Sequence, residues 1–385
     1  MKHIIYATLG ATMFVPALIG CTEKTSDNKL KTIFVEQSFE KPDFDDLSSK
    51  IEVLEVFRPE FTDSTMFSLP KILKISDGKA YLHEGKWMAV YDYPSGKLEN
   101  AFNRYGAGPE EYMYSYHKYY ADGTWTVLDQ NYGRYNIMQY AADGSYMRTV
   151  ENDSIQSLSP IVGGGWLAYN DCVDRKNKYA KKRDKKVYQY DKDWNLSNIY
   201  SLNERRWGER GSDRMDAVCL YDGVQYVSDT DTIYKIDTEK HVMLPAIAMN
   251  LGKYSFDWGS LENYQEIRDA EKSHFYISTP VFNSRYMFAT YTMKAEEPWV
   301  LYYDVYDIDN GELVYRHRLP LEGEYGLCQF FEGFPVELDS ETVFGWPVNY
   351  VDDDAFYVIV ATDELARIYD TDAINPVFVK IRIKD

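Results

Sequence analysis

One pattern recurs along most of this chain: an alternating apolar strand, a tight turn, a second strand ending in an aromatic residue, an Asp, Asn or Gly turn, and a third strand. Its clearest copy is residues 125–150, in which Trp125–Asp129, Tyr135–Tyr140 and Tyr146–Val150 are separated by turn residues, including Asp143-Gly144. Alternation with a period of two predicts strands, and Asp-Gly between two strands predicts a hairpin. Each copy is therefore predicted to be an antiparallel meander.

Six copies can be aligned on the residue that closes the middle strand. These residues, each followed by turn-forming residues, are Tyr91, Tyr140, Tyr190, Ile236, Tyr306 and Tyr369. Successive copies lie roughly 45 to 70 residues apart, which fits propeller blades with insertions in the later ones. A single four-stranded sheet buries neither face, whereas sheets packed around an axis bury both. We therefore predict an all-β fold, a six-bladed β-propeller of four-stranded antiparallel blades.

Two further expectations and one alternative concern this architecture. Ile51–Phe57 alternates as a strand outside the six copies and is expected to add the outermost strand to the last blade, closing the ring. Ser260–Lys272 has helical spacing and a serine cap, which predicts a small helical insertion over one propeller face. The alternative architecture is a pair of β-sandwiches, which a single repeating period across the chain disfavours.

The N-terminus has the layout of a bacterial lipoprotein signal. Lys2 and His3 precede an apolar run, Ile4–Ile19, and Leu18-Ile19-Gly20-Cys21 places small and apolar residues before a cysteine. We expect residues 1–20 to be a signal peptide, residues 21–48 to be a tether lipidated at Cys21, and residues 49–385 to be the propeller. The alternative is a transmembrane anchor, but the run is short for a spanning helix and contains Pro16.

Charge and cysteine content restrict the partners. The chain has 42 Lys and Arg against 61 Asp and Glu, a net charge of −19, which would repel a phosphate backbone and argues against nucleic acid.

Besides Cys21, the cysteines are Cys172, Cys219 and Cys328, too far apart for a zinc knuckle or redox motif. Three free thiols or one disulfide with one free thiol both remain open. The basic run from Arg175 to Lys186 is expected to be a solvated loop, with anionic lipid or glycan binding as the alternative.

Motifs for chemistry are scarce. The histidines have no metal-binding spacing, so we predict no metal site, and no nucleophile elbow, phosphate loop or dinucleotide fingerprint occurs. Calcium needs only oxygen ligands and remains open as a cofactor, with Asp352-Asp353-Asp354 as the densest carboxylate cluster. We interpret this cluster first as a solvated turn. The aromatic loop residues Tyr112, Tyr114, Tyr116, Tyr119 and Tyr120 are candidates for stacking on sugars or holding a peptide.

The segment Phe102-Asn103-Arg104-Tyr105-Gly106-Ala107-Gly108-Pro109-Glu110-Glu111-Tyr112 contains a G-x-G-P-[GE]-E-[YF] motif. Together with the lipidation signal and the six meanders, it resembles six-bladed β-propeller lipoproteins of Bacteroides-type bacteria, related in shape to TolB-like and NHL-repeat propellers. The resemblance implies an outer-membrane lipoprotein. Gly106, Gly108 and Pro109 suit a sharp turn between blades without any ligand. The functional interpretation places candidate ligand-binding residues at the mouth of the channel: Arg104, Glu110, Glu111, Tyr112 and His117.

Two functions are compatible with these features as hypotheses. The first is a non-catalytic cell-envelope lipoprotein, held to the membrane by its N-terminal lipid, whose propeller recognises a protein or a glycan. The second is a calcium-dependent hydrolase or lyase with carboxylates converging in the channel. The first is preferred because the chain combines a lipid anchor and a ring of repeats with no compact catalytic motif.

Overall fold

Six sheets built mainly of antiparallel strands succeed one another along the chain. The computed structural model describes residues 30–40, 47–113, 117–131, 134–152, 155, 157–172, 182–201, 205–206, 218–221, 223–229, 231–255, 276–277, 280–293, 299–321, 333–352, 354–371 and 374–384. Before the first blade come strand β1 (Lys31–Ile33), helix α1 (Val35–Ser38), a 3-10 turn (Ser48–Lys50) and strand β2 (Ile51–Phe57).

Blades 1 to 3 follow in order. Blade 1 contains β3 (Lys71–Ser76), β4 (Lys79–Glu84), β5 (Trp87–Asp92) and β6 (Leu98–Asn103). Blade 2 contains β7 (His117–Ala121), β8 (Thr124–Asn131), β9 (Arg134–Ala141) and β10 (Tyr146–Asn152). Blade 3 contains β11 (Ser157–Pro160), β12 (Trp166–Cys172), β13 (Lys182–Tyr190) and β14 (Leu196–Ser201), and β15 (Arg205–Arg206) pairs with β13.

Blades 4 to 6 carry additions. Blade 4 contains β16 (Val218–Tyr221), β17 (Val224–Asp229), β18 (Thr232–Asp237) and β19 (Val242–Met249), followed by a 3-10 turn (Gly252–Tyr254). Blade 5 contains β20 (Tyr276–Ile277), β21 (Val281–Phe282), β22 (Tyr286–Met293), β23 (Trp299–Asp307) and β24 (Glu312–Leu321). Blade 6 contains β25 (Phe334–Leu338), β26 (Glu341–Asp352), β27 (Ala355–Val360), helix α2 (Thr362–Tyr369) and β28 (Val377–Ile383).

The innermost strands form a ring around the axis. Strand β3 contacts β7, β7 contacts β11, and β11 contacts β16, while β26 contacts β16, β21 and β3. The second half of β26 is therefore the inner strand of blade 6, and β25 is an addition that pairs with its first half. This arrangement is a six-bladed β-propeller of four-stranded antiparallel blades, as predicted, and not a pair of sandwiches.

The ring is closed by strand β2, as expected for Ile51–Phe57. This strand pairs antiparallel with β28, from Ile51 opposite Ile383 to Phe57 opposite Phe378, and forms the outer edge of blade 6. Phe57 is 1% exposed and packs in the apolar cluster between blades 6 and 1, beside Tyr91 and Phe378. The strand that precedes blade 1 thus joins the last blade to the first.

Five of the six alignment residues lie at the end of a third strand, as predicted: Tyr91, Tyr140, Tyr190, Ile236 and Tyr306. The prediction for Tyr369 is wrong, because this residue ends helix α2, which joins the second and third strands of blade 6. Asp and Thr occur both after helices and in hairpin turns. The Asp-Thr-Asp residues after Tyr369 therefore did not distinguish the end of a helix from a hairpin.

The two ends of the propeller carry different connections between strands. The hairpin end carries the turns between first and second strands, including residues 77–78, 122–123 and 283–285. The connection end carries the turns between second and third strands, such as residues 85–86, and the segments that join successive blades. Hydrogen bonds support this division: Tyr93 N donates to Gly78 O at the hairpin end, and Ser68 N donates to Glu84 at the connection end.

Part of the segment predicted as a tether is folded. Strand β1 pairs in parallel with β19 at the outer edge of blade 4, and α1 packs against blade 5 through Val35 and Ser38. Leu47 is 1% exposed in the core between blades 5 and 6. The division into signal peptide, tether and propeller stays a prediction. Cys21 and the helix predicted for Ser260–Lys272 lie outside the described residues, as do the side chains of the other cysteines.

Candidate functional site

The glycine motif forms the connection between blades 1 and 2, at the connection end of the propeller. Tyr112 N donates to Arg104 O at 2.9 Å, and Gly106 N donates to Tyr112 O at 3.1 Å. An isolated bridge links Tyr105 to Tyr112. Residues 104–112 therefore form a loop that is closed by its own backbone hydrogen bonds, which we call the motif loop.

Glu111 is exposed but bonds back to the motif loop. Its Oε2 accepts a hydrogen bond from Gly108 N at 2.8 Å. A Cβ atom on Gly106 would overlap this carboxylate, so a larger residue there would displace it from its bond with Gly108. The spacing of Gly106, Gly108 and Glu111 thus has a local structural cause, consistent with the interpretation of the motif as a turn between blades.

Tyr112 attaches the motif loop to both neighbouring blades. Its ring is 0% exposed, its hydroxyl donates to Lys86 O at 2.6 Å in blade 1, and its ring meets that of Tyr140 in blade 2 edge to face. Burial raises the pKa of Tyr112 well above its ordinary value. Tyr140 in turn donates from its hydroxyl to Glu110 O at 3.0 Å. Tyr112 is consequently part of the packing between blades rather than a surface residue.

The remaining motif residues differ in what they offer to a ligand. Arg104 Nε donates to Gly144 O at 2.9 Å, which engages part of its guanidinium in the contact with blade 2. Glu110 and Tyr105 are exposed, and 53% of Tyr105 is accessible to solvent. The loop therefore presents an aromatic ring and a carboxylate to solvent on a backbone fixed at both ends.

His117 is the first residue of the inner strand of blade 2, and its neighbour Lys118 faces blade 1. Lys118 is 1% exposed, donates to Gly85 O, and has its Nζ 5.1 Å from the centre of the Tyr112 ring. Burial lowers the pKa of Lys118 to about 7. Lys118 was not among the candidate residues, although a lysine two residues before Tyr120 on an inner strand shares the inward face of that tyrosine.

His83 lies beside Lys118, in the second strand of blade 1. It is 5% exposed, and its Nδ1 has no hydrogen-bond partner among the described residues. Burial and then the charges of Lys118, Lys71 and His117 hold the pKa of His83 well below its usual value. His83 and His117 are far apart in sequence, yet the charge of His117 acts on His83 because the two lie on adjacent blades, which spacing within the sequence could not indicate.

The carboxylates of the Asp352–Asp354 turn have separate partners. Asp352 Oδ2 pairs with Lys380 Nζ at 2.8 Å, whereas Asp354 accepts hydrogen bonds from the Tyr221 hydroxyl and from Ser284 N. Asp353 lies outside the described residues. Across the part of the chain that the structure describes, no three or more His, Cys, Asp or Glu side chains come together as a metal site.

Two of the loop aromatics pack between blades. Tyr120 stacks on Tyr81 with ring centres 3.6 Å apart, and the Tyr119 hydroxyl accepts a hydrogen bond from Leu158 N at 3.0 Å. Tyr114 and Tyr116 lie outside the described residues, as do the side chains of the basic run from Arg175 to Lys186. Among helices in the described ranges, none has the length and apolar character needed to cross a bilayer.

Comparisons with known proteins agree with this architecture. A family described as 6-bladed beta-propeller matches residues 22–339. A putative exported protein of Bacteroides fragilis NCTC 9343 superposes with a TM-score of 0.63 at 16% identity, over 93% of this chain and 100% of that one. A member of the DUF4221 family from Bacteroides vulgatus ATCC 8482 gives a TM-score of 0.50 at 11% identity, over 87% and 99%. No curated protein matches the sequence.

Proposed function

This chain belongs to the six-bladed β-propeller family, and from that premise we propose that it is an exported cell-envelope lipoprotein whose propeller recognises a ligand at its connection end. A glycan is the first candidate ligand and a protein the second. The observation that carries the proposal is the motif loop, which is closed by internal hydrogen bonds and leaves Tyr105 and Glu110 exposed.

The chemistry of the motif loop suits a sugar. An exposed tyrosine ring stacks on the apolar face of a sugar, and a carboxylate accepts hydrogen bonds from its hydroxyl groups. Because hydrogen bonds of Glu111 and Tyr112 restrain the loop, little conformational freedom is lost when a ligand binds, which favours affinity. The motif thus serves both interpretations made from the sequence: Gly106, Glu111 and Tyr112 shape the loop, while Tyr105 and Glu110 meet the ligand.

The proposals of export and lipidation rest on the N-terminal sequence and on a similar structure, not on the motif loop. The signal layout that ends at Cys21 supports an acylated N-terminus, and the similar Bacteroides fragilis structure is described as a putative exported protein. Attachment to the outer membrane is the expectation from the resemblance. Mass spectrometry of the N-terminal peptide from purified membranes tests this part: an acylated Cys21 supports it, and an uncleaved signal segment contradicts it.

Recognition is tested by glycan-array binding followed by calorimetric titration of the best hit. We expect Tyr105→Ala and Glu110→Gln each to weaken binding about tenfold, equivalent to about 1.4 kcal/mol. Phe344→Ala is the matched control, because Phe344 is also an exposed aromatic residue, 40% accessible, but lies in blade 6. Binding that both loop variants retain in full would exclude the motif loop as the site.

A calcium-dependent hydrolase or lyase is the alternative, and no observation among the described residues favours it. Repeating the titration with added calcium and with EDTA separates the two functions. A ligand that binds only with calcium and is then hydrolysed would replace the recognition proposal. Equal binding under both conditions, without turnover, is the result expected of a recognition module.

A further inference from the structure

Blade 3 carries a concentration of positive charge in a protein whose net charge is −19. Six basic residues occupy strands β13 and β15: Lys182, Arg183, Lys185, Lys186, Arg205 and Arg206. The acidic residues of β12, β13 and β15 are Asp171 and Asp184, so six basic and two acidic residues leave an excess of four positive charges on these strands. We call residues 182–186 together with β15 the basic ribbon.

The register of the basic ribbon places like charges opposite each other. Lys182 pairs with Arg206, and Arg183 pairs with Arg205. Like charges directly opposite in an antiparallel pair destabilise it. Lys185, in contrast, pairs with Asp171 and has an opposite charge across the strands. Two consecutive like-charged pairs therefore oppose the pairing of β13 with β15, and an anion bound beside them would remove that repulsion.

The basic ribbon belongs to the end of the propeller that carries the motif loop. Strand β12 follows the hairpin-end turn of residues 161–165, so β13 begins at the connection end. It begins eight residues before Tyr190, whereas β5 begins four residues before the equivalent Tyr91. Four additional residues correspond to about 13 Å of strand. The turn before β5 holds the motif loop through Lys86 O, so the basic ribbon is an extension of blade 3 at this same end.

We infer that the basic ribbon binds the acidic groups of an anionic glycan. The inference rests on the proposed recognition of a glycan at the connection end, and it adds that the glycan is negatively charged. Arginine side chains bind a carboxylate through two parallel hydrogen bonds, and charge-assisted hydrogen bonds of this kind are stronger than neutral ones. Two adjacent like-charged pairs suit a polymer that carries an acidic group on successive sugars.

The shape of the ligand favours a glycan over an anionic lipid surface. At physiological ionic strength the Debye length is about 8 Å, shorter than the extension of β13, so the acidic body is largely screened from a chain that touches only the ribbon. A bilayer is a broad plane and would also approach exposed carboxylates at the same end, including Glu110 and Glu111. Their repulsion opposes binding to an anionic membrane.

Binding of the full-length protein, purified in detergent, to immobilised polygalacturonate and heparin tests the inference. Polygalacturonate presents carboxylates alone, whereas heparin adds sulfates, so the two probes separate the sources of negative charge. We expect Arg183→Gln and Arg205→Gln each to weaken binding to at least one of these probes about tenfold, as expected when a hydrogen-bonded charge is removed. Lys192→Gln is the matched control, because Lys192 is exposed in the opposite turn of the same blade and should leave binding unchanged.

Thermal unfolding separates a binding role from a structural one. Without glycan, Arg183→Gln should leave the unfolding temperature unchanged or raise it, since the substitution removes a like-charged pair. With glycan, the wild type should be stabilised more than the variant. An unfolding temperature that Arg183→Gln lowers in the absence of glycan would show that this arginine stabilises the fold, and would overturn the inference.

The remaining outcomes separate this inference from the proposed function. Equal affinity for polyglutamate, or tighter binding to phosphatidylglycerol vesicles than to either glycan, would overturn the assignment of a glycan to the ribbon. Binding of a neutral glycan that requires Tyr105 but not Arg183 would retain the proposed function and overturn this inference. Binding of an anionic glycan that requires Arg183 but neither Tyr105 nor Glu110 would support the ribbon and exclude the motif loop.

Discussion

Arg316 Nη2 lies 2.7 Å from Ser38 Oγ and donates a hydrogen bond to it, so helix α1 is joined to the outer strand of blade 5. The guanidinium is 0% exposed and also binds both carboxylate oxygens of Asp304, at 2.8 and 2.6 Å. It lies 4.4 Å from the centre of the Phe39 ring. The N-terminal segment therefore completes a buried ionic network and is part of the folded body.

Ser38→Ala should destabilise the protein by about 1–3 kcal/mol, because the buried Arg316 then loses an acceptor that water cannot replace. Urea unfolding followed by tryptophan fluorescence measures this cost. Ser197→Ala is the matched control: Ser197 is exposed and its hydroxyl makes only a 3.5 Å contact with Asn195 O. A loss at position 38 no larger than at position 197 would show that the network does not need α1.

Arg316→Met should cost about 3–5 kcal/mol, because it leaves the Asp304 carboxylate buried without its cation. Combining it with Asp304→Asn should recover part of that loss, since the second change removes the uncompensated charge. A double-mutant cycle based on urea unfolding measures the coupling. Strictly additive effects of the two substitutions would contradict a direct interaction between these side chains.

Phe57→Ala should destabilise the closed ring by about 3–5 kcal/mol, as large-to-small changes of buried aromatic residues do. Leu54→Ala on the same strand is the control, because Leu54 is 37% exposed and should cost far less. Thermal or urea unfolding of both variants gives the comparison. Similar losses for the two would mean that β2 contributes pairing alone and that its packing against blade 1 is dispensable.

Stability should rise with pH between about 7 and 10.5 because of Lys118. In the folded protein burial lowers its pKa to about 7, whereas its ordinary value is 10.5, so in this window the unfolded chain binds a proton that the folded chain does not. The penalty for burying the charge is complete below pH 7 and disappears as pH rises. The slope is at most about 1.4 kcal/mol per pH unit.

Urea unfolding at pH 7.0, 8.25 and 9.5 checks this prediction against Lys118→Met. The variant should be more stable than the wild type at pH 7 and should lack the rise. Lys118 is one of the charges that lower the pKa of His83, so the comparison uses the slope above about pH 8, where histidine is uncharged in both the folded and the unfolded chain. Lys192→Met, at an exposed turn, should keep the wild-type slope. If the free energy of unfolding of Lys118→Met rises with pH as steeply as that of the wild type, groups other than Lys118 cause the pH dependence.

Glu111→Ala should loosen the motif loop without unfolding the propeller. The Gly108 amide then loses its acceptor, and hydrogen exchange at residues 106–109 should accelerate, while the free energy of global unfolding changes by less than about 1 kcal/mol. Gly106→Ala should accelerate the same amides, because its methyl group displaces the Glu111 carboxylate. Glu111→Gln, which retains an acceptor oxygen, is the control and should exchange like the wild type.

Much of the fold could be predicted because it is repeated. Alternation identifies strands locally, and the turn residues after Tyr91, Tyr140, Tyr190, Ile236 and Tyr306 identify the same hairpin five times. The sixth copy lacks such a hairpin, because helix α2 occupies the place where the repeat predicts the end of a strand. A repeat therefore predicts the number and type of blades better than the details of an atypical last blade.

The candidate site was less predictable. The sequence indicates that a Gly, Pro and Glu motif must form a sharp turn, but not which side chains remain exposed. Tyr112 is buried and Glu111 bonds within the turn, whereas Tyr105, which was not among the candidate residues, is the exposed aromatic. Buried His83 and Lys118 come from separate blades, and no local pattern reports that the charge of Lys118 acts on His83.

Local order along the chain by itself determined the strands, the hairpin turns and the number of blades, because these depend on alternation and on turn residues a few positions apart. Only the tertiary structure decided which distant residues meet. Packing between blades brings His83 to Lys118, pairs Ile51–Phe57 with β28, and places Ser38 against Arg316. These contacts depend on how twisted sheets pack around one axis, a property of the whole ring that no single segment encodes.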